Sequence, residues 1–444
     1  MAKLKAARAT DVPSAMPEPD IAADLDGLAA ASAASSCSCI RAGGAEAATV
    51  TTTATTTAAE GRPPLVVIGH RGKGMNTLVS TDPRLRGDVR ENTLRAFNDA
   101  AASHPAVAYV EFDVQVTKEG CPVIFHDNFI YTQQDGEISG KRVTDLDLAE
   151  FLSYGPQREQ GKVGKPLFRK LKDGRILKWD VRSEDALCTL REVFRGVHRR
   201  VGFNVELKFD DDLVYTEDRL TCILQAVLKA CGKAKEPQAA SLCNISEENA
   251  YLLIAPLLGV QVVFDHADDR PIIFSSFQPD AAQLIRKLQD KYPVFFLTNG
   301  GTQVYADPRR NSLEEAIKLC VAGGLQGIVS EVRAILRQPS AVAKIKEANK
   351  LSLMTYGQLN NVPEVVYVQH LMGVDGVIVD LVREIADAVS AFTATAVHES
   401  GSQDGGGVVV GERMESAAVA VAGTPSFSPR EMSFLLRLIP ELVQ

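Results

Sequence analysis

The chain has 444 residues, 45% of them hydrophobic and 23% charged, with a formal net charge of −8, the composition of an ordinary globular protein long enough for one large or two to three medium domains. The negative balance argues against a nucleic-acid binder held mainly by charge, and eight scattered cysteines without a CxxC pair exclude a zinc ribbon and argue against a disulfide framework. The longest apolar stretch, Tyr251 to Phe264, is broken by Pro256, Gly259 and Gln261, so no transmembrane helix is predicted.

Residues 1–60 stand apart: Ala, Thr and Ser fill 32 of the 60 positions (19, 8 and 5), leaving few large apolar groups to offset the entropy of ordering. They read as a disordered low-complexity tail, with an organellar transit peptide as the alternative; seven acids against four bases weigh against the latter. No apolar core follows the first basic residues, so a secretory signal is not expected. The chain is read as cytoplasmic, with the plastid as alternative.

From 61 to 394 short β-branched runs alternate with helical periodicities. The predicted strands are 65–69, 108–114, 122–125, 201–207, 271–275, 294–297, 327–330, 351–356 and 376–380; helices are expected near 91–103, 184–198, 217–231, 279–290, 311–322, 340–349 and 381–391. Strands apolar on both faces and separated by helices indicate a parallel sheet covered by helices. Their number fits an α/β fold of the (β/α)8 TIM-barrel type with an insertion. Nine candidates compete for eight staves, and either 122–125 or 327–330 could be surplus. The region from about 131 to 200 is too long for a barrel loop and reads as an excursion over the barrel mouth. Residues 395–426 then read as a flexible linker, and 427–444 as an amphipathic helix, with Ser428, Pro429 and Glu431 at capping positions.

In such a barrel chemistry belongs at the carboxyl ends of the strands, and four consecutive candidates end in charge. The first runs into His70-Arg71-Gly72. The second carries Glu111 and Asp113, two apart and therefore on one face. Two buried carboxylates repel and lose hydration unless compensated; a hard divalent cation, which takes oxygen ligands, is the economical compensation. The third ends at His126-Asp127. The fourth holds Glu206, which could complete a three-carboxylate site, and Lys208, which could hold an anionic oxygen or pair with Glu206. Each residue alone has a structural reading. Together they suit phosphate ester chemistry: cations for charge, imidazoles for protons.

On these residues the sequence resembles the glycerophosphodiester phosphodiesterases, most closely their plant and algal branch, over most of 65–385. The resemblance rests on Gly69-His70-Arg71-Gly72, Glu91-Asn92-Thr93, Glu111-Phe112-Asp113-Val114, Phe125-His126-Asp127 and Val205-Glu206-Leu207-Lys208, followed by Phe274-Ser275-Ser276-Phe277 and the run 374–380. It implies a TIM barrel, one divalent metal ion (Mg²⁺ or Ca²⁺), and metal-dependent hydrolysis of small glycerophosphodiesters to sn-glycerol 3-phosphate and an alcohol through a cyclic phosphate. It further implies His70 and His126 as the acid/base pair, Arg71 on the phosphate, Glu111, Asp113 and Glu206 on the metal, and Lys208 against developing charge. The family's Trp-Thr-Val-Asn motif is replaced here by Met354-Thr355-Tyr356-Gly357, which bears on the alcohol preference. The alternatives are a barrel acting on intact phospholipid and a non-catalytic barrel that binds a phosphorylated ligand.

Overall fold

The computed structural model describes residues 65–231 and 270–399. The tail 1–60, the helix expected over 427–444 and nearly all of the linker expected over 395–426 lie outside the described residues.

Eight parallel strands close into a barrel: β1 (Val66–Gly69), β2 (Val107–Val116), β8 (Gly202–Leu207), β9 (Ile272–Ser276), β10 (Val294–Thr298), β11 (Gly327–Glu331), β12 (Ser352–Tyr356) and β13 (Gly376–Val379). Each pairs in parallel with the next, and β1 pairs with both β2 and β13 to complete the ring. The surplus candidate is β3 (Pro122–Ile124), which lies antiparallel on the long end of β2, with Val114 opposite Ile124. A run so soon after β2 has no room for the crossover helix a parallel neighbour needs.

The two faces of the staves have separate partners. On β10, Val294 and Phe296 face the outer core under the helices, while Phe295 and Leu297 join Ile68, Ile273, Val329, Met354 and Ile378 inside the barrel. Burial on both faces makes these runs uniformly apolar. On β2, Phe112 points outward, its ring 5.3 Å from Phe97 and 5.1 Å from Phe203; by the two-residue period Glu111 and Asp113 must point inward.

The excursion differs in extent and content from the expectation. It forms a four-stranded antiparallel sheet of β4 (Phe129–Gln134), β5 (Glu137–Arg142), β6 (Phe168–Lys170) and β7 (Ile176–Lys178), in the order β5-β4-β6-β7. Ile130, Phe151, Tyr154, Leu167 and Trp179 give it a core of its own, shared with Val123 and Phe125. It begins two residues before 131, and helix Leu190–Gly196 already belongs to the barrel, because Leu190, Val193 and Phe194 sit in the outer core. The last described helix, Val382–Glu399, runs five residues into the segment read as linker. Among the described residues no helix is long and apolar enough to cross a membrane.

Candidate active site

Above the apolar layer inside the barrel, the next inward position on each stave is polar or aromatic. Ile68 is followed by His70, Leu297 by Asn299, Val329 by Glu331, Met354 by Tyr356 and Ile378 by Asp380; β2 and β8 contribute Glu111, Asp113 and Glu206. These positions, Asp113 excepted, line a cavity of about 600 Å³ together with Arg71, His126, Lys208 and Phe277. Asp113 lies beneath, 1% exposed. All seven residues singled out in the sequence therefore converge on one place.

The turn after β1 is backbone-specified. Arg71 has φ 49° and Gly72 φ 92°; a Cβ on Gly72 would stand 2.8–2.9 Å from Ala96. The turn delivers the Arg71 N–H to Glu111 Oε2 at 2.8 Å and its guanidinium to Glu91 at 2.7 Å, with Nε 3.5 Å from Asp113. Asn92 Nδ2 donates to Asp113 Oδ2 at 2.8 Å.

Each histidine is anchored through Nδ1 to an aspartate: His70 to Asp380 Oδ1 at 2.8 Å, His126 to Asp127 Oδ1 at 2.7 Å. With carboxylates accepting, Nδ1 carries the proton and Nε2 is left toward the cavity. The surroundings push the two rings in opposite directions. Burial would lower the His70 pKa, but the charge and hydrogen bond of Asp380 outweigh it, and the net shift is upward. Burial also lowers His126, and there the cations Arg71 and Lys208 add to it, so the net shift is downward.

Glu111, Asp113 and Glu206 each offer a carboxylate oxygen within 4.8 Å of the others. Burial, then the charge of Asp113, pushes the Glu111 carboxyl up to about 8. Asp113 goes the other way: burial would raise it, but His126, Arg71 and Lys208 hold it below the ordinary range. Lys208 Nζ is 2.8 Å from Glu206 Oε1 and 3.7 Å from Asp113 Oδ1, and these acids outweigh burial to raise its pKa. Glu111 Oε1 is buried without a hydrogen-bond partner. An all-oxygen donor set with an orphaned buried oxygen fits a hard divalent cation.

Three further residues hold this arrangement, and only their place in motifs, or nothing, marks them in the sequence. Asp380 closes the run 374–380; besides His70 it accepts from Met75 N at 2.8 Å and Asn361 Nδ2 at 3.0 Å. Glu91, 2% exposed, receives Arg71 on one side and Arg169 on the other. Arg169, from β6, spans Glu91 Oε1 at 2.6 Å and Asp127 Oδ2 at 2.8 Å and lies over the Trp179 ring at 3.7 Å. No sequence motif contains it.

The sequence profile of the glycerophosphoryl diester phosphodiesterase family matches residues 70–384. The glycerophosphodiester phosphodiesterase GDPD2 of Arabidopsis thaliana is 50% identical over 382 residues, covering 86% of this chain and 90% of its own. GDPD1, chloroplastic, of the same plant is 51% identical over 383 residues, 85% of this chain and 90% of its own. A more distant relative, the glycerophosphocholine phosphodiesterase gde1 of Schizosaccharomyces pombe, is 31% identical over 360 residues, 74% of this chain and 28% of its own. By profile, identity and coverage, the chain belongs to the glycerophosphodiester phosphodiesterase family.

Proposed function

We propose that the protein hydrolyses small glycerophosphodiesters, such as glycerophosphocholine and glycerophosphoethanolamine, to sn-glycerol 3-phosphate and the free alcohol, with one divalent cation held by Glu111, Asp113 and Glu206. The observation that carries this reading is geometric: two imidazoles, each tied through Nδ1 to an aspartate, leave Nε2 on one cavity whose floor is a three-carboxylate cluster flanked by Arg71 and Lys208. A cation bound there supplies positive charge against the phosphate oxygens.

The chain's own groups do the rest. Arg71 and Lys208 hold the phosphate and offset the charge that builds on it. His126, held toward its neutral form, takes the proton of the substrate's own glycerol hydroxyl as that oxygen bonds to phosphorus. His70, held toward its protonated form, gives a proton to the alcohol oxygen as its bond to phosphorus breaks. The product of this step is a cyclic phosphate. In the second step the roles reverse: one imidazole takes a proton from water as it attacks phosphorus and the other returns one to the glycerol oxygen. No protein nucleophile is required, only proton transfer and charge stabilisation.

The glycerophosphodiester and glycerophosphocholine names of the relatives support this substrate class, and the chloroplastic name of one supports the plastid, the alternative to the cytoplasm, as compartment. The test is glycerol 3-phosphate release from glycerophosphocholine with added Mg²⁺, with added Ca²⁺ and with chelator. Metal-dependent release is expected; no release from folded protein with either metal would overturn the reading. Fusion of residues 1–60 to a fluorescent protein tests the compartment, and cytosolic fluorescence would overturn the plastid address.

A further inference from the structure

The ring of side chains around the cavity has two halves. Strands β1, β2, β8 and β13 carry the histidine, carboxylates and aspartate used above. The half formed by β9 to β12 carries Phe277, Asn299, Glu331 and Tyr356, which line the same cavity and have no part in the proton transfers. Glu331 and Tyr356 are register partners across β11 and β12, so the two project side by side. The Phe277 ring meets the Tyr356 ring at 90° with centroids 5.9 Å apart, and the Tyr356 hydroxyl is tied to Asn299, which fixes the ring plane.

The protein holds Glu331 through the first backbone N–H groups of the following helix, those of Arg333 and Ala334. Glu331 Oε2 accepts from the Arg333 N–H at 2.8 Å and caps the helix Val332–Arg337. Its Oε1 faces Gly357, where φ is 125° and a Cβ would stand 2.9 Å away; glycine at that position preserves a gap beside the carboxylate. Arg333 and Arg337 also line the cavity, yet burial outweighs them and pushes the Glu331 carboxyl above its ordinary range. The carboxylate stands on the side of the cavity that the Phe277 and Tyr356 rings line.

We propose that Glu331, Tyr356 and Phe277 form the subsite for the alcohol half of the substrate, and that they select an alcohol bearing a quaternary or primary ammonium group over a neutral one. An ammonium is drawn to an aromatic face by the ring quadrupole and to a carboxylate by charge, and both attractions strengthen away from bulk water. The inference rests on the glycerophosphodiester reading and deepens it.

The experiment compares kcat/KM for glycerophosphocholine, glycerophosphoethanolamine and the neutral-headgroup glycerophosphoglycerol in the full chain and in Glu331→Gln and Tyr356→Leu. The expected result is a preference for the two cationic diesters in the parent. In Glu331→Gln the ratio of either cationic diester to glycerophosphoglycerol falls about tenfold, because Gln still caps the helix but carries no charge. In Tyr356→Leu glycerophosphocholine loses more than glycerophosphoethanolamine. Equal losses on all three substrates in both variants would reduce Glu331 to a helix cap and overturn the subsite. Saturation-transfer NMR with choline chloride separates the two readings. Choline that binds the parent and not Glu331→Gln supports the subsite even if no diester is turned over, an outcome that would sink the hydrolytic reading alone; choline that binds neither, or both alike, overturns it.

Discussion

The guanidinium of Arg169 lies 2.6 Å from Glu91 Oε1, an ion pair between the accessory sheet and the loop ahead of the first barrel helix. Through Glu91 it backs Arg71, and through Asp127 it backs His126, so one side chain from outside the barrel sets two groups inside it.

Replacing Arg169 by Met removes one partner of a buried charge cluster. Unfolding free energy should fall by about 3 kcal/mol, read by denaturant titration, and kcat by on the order of 100-fold, with KM changed much less. Arg169→Lys should recover stability more than kcat, because a single ammonium cannot serve two carboxylates as a planar fork does. Equal recovery of both would show Arg169 to be structural only.

Asp380 is what lifts the His70 pKa against the pull of burial. Asp380→Asn removes that charge, so the His70 pKa should fall. In the proposed mechanism His70 must be protonated, which makes it the group behind the alkaline limb of the kcat/KM profile. That limb should move to lower pH in the variant, while the acid limb, assigned by the same proposal to His126, stays. Movement of the acid limb instead would reverse the roles of the two histidines.

With no metal bound, burial and the charge of Asp113 push the Glu111 carboxyl well above its ordinary 4.5, up to about 8. Its folded-state pKa lies above the unfolded one, so between those values the folded chain holds more proton than the unfolded chain, and stability drops as pH rises through this window. A divalent cation held there, as proposed, would replace the proton. The rise in Tm on adding Mg²⁺ or Ca²⁺ should accordingly be larger at pH 8 than at pH 5.5, and Glu111→Gln should flatten that difference. The same rise at both pH values in the parent would remove Glu111 from the cation site.

The turn that carries His70 and Arg71 depends on Gly72. Alanine there is placed in a left-handed conformation and against Ala96, a strain of about 1–3 kcal/mol. Gly72→Ala should lower Tm by a few degrees and kcat by far more than that loss of folded population accounts for. Full activity in the folded fraction would mean that the turn tolerates displacement.

The staves are legible in the sequence because burial on both faces leaves nothing polar to interrupt them, and the charges at their ends stand out for the same reason. The surplus strand is not resolved that way: β3 is as apolar as a stave, and only its pairing direction separates it. The accessory sheet is hidden because its strands bury so little; β5, Glu137–Arg142, is exposed along nearly its whole length and shows no alternation. Helix Val332–Arg337 follows β11 without a connecting residue, so no break in pattern announces it. Arg169 could not be found from sequence, since its partners Glu91 and Asp127 lie 78 and 42 positions away and nothing local distinguishes it from the basic residues around it.

His70 and Asp380 are 310 positions apart, on the first and last staves, and those two strands are the seam at which the ring closes. A chain emerging from the ribosome therefore presents the histidine and every candidate metal carboxylate long before the aspartate that fixes the histidine's proton. Until the final stave is synthesised and docked, the growing polypeptide has His70 without the carboxylate that orients its ring and raises its pKa. On the proposed roles, completion of the barrel and onset of turnover become the same event.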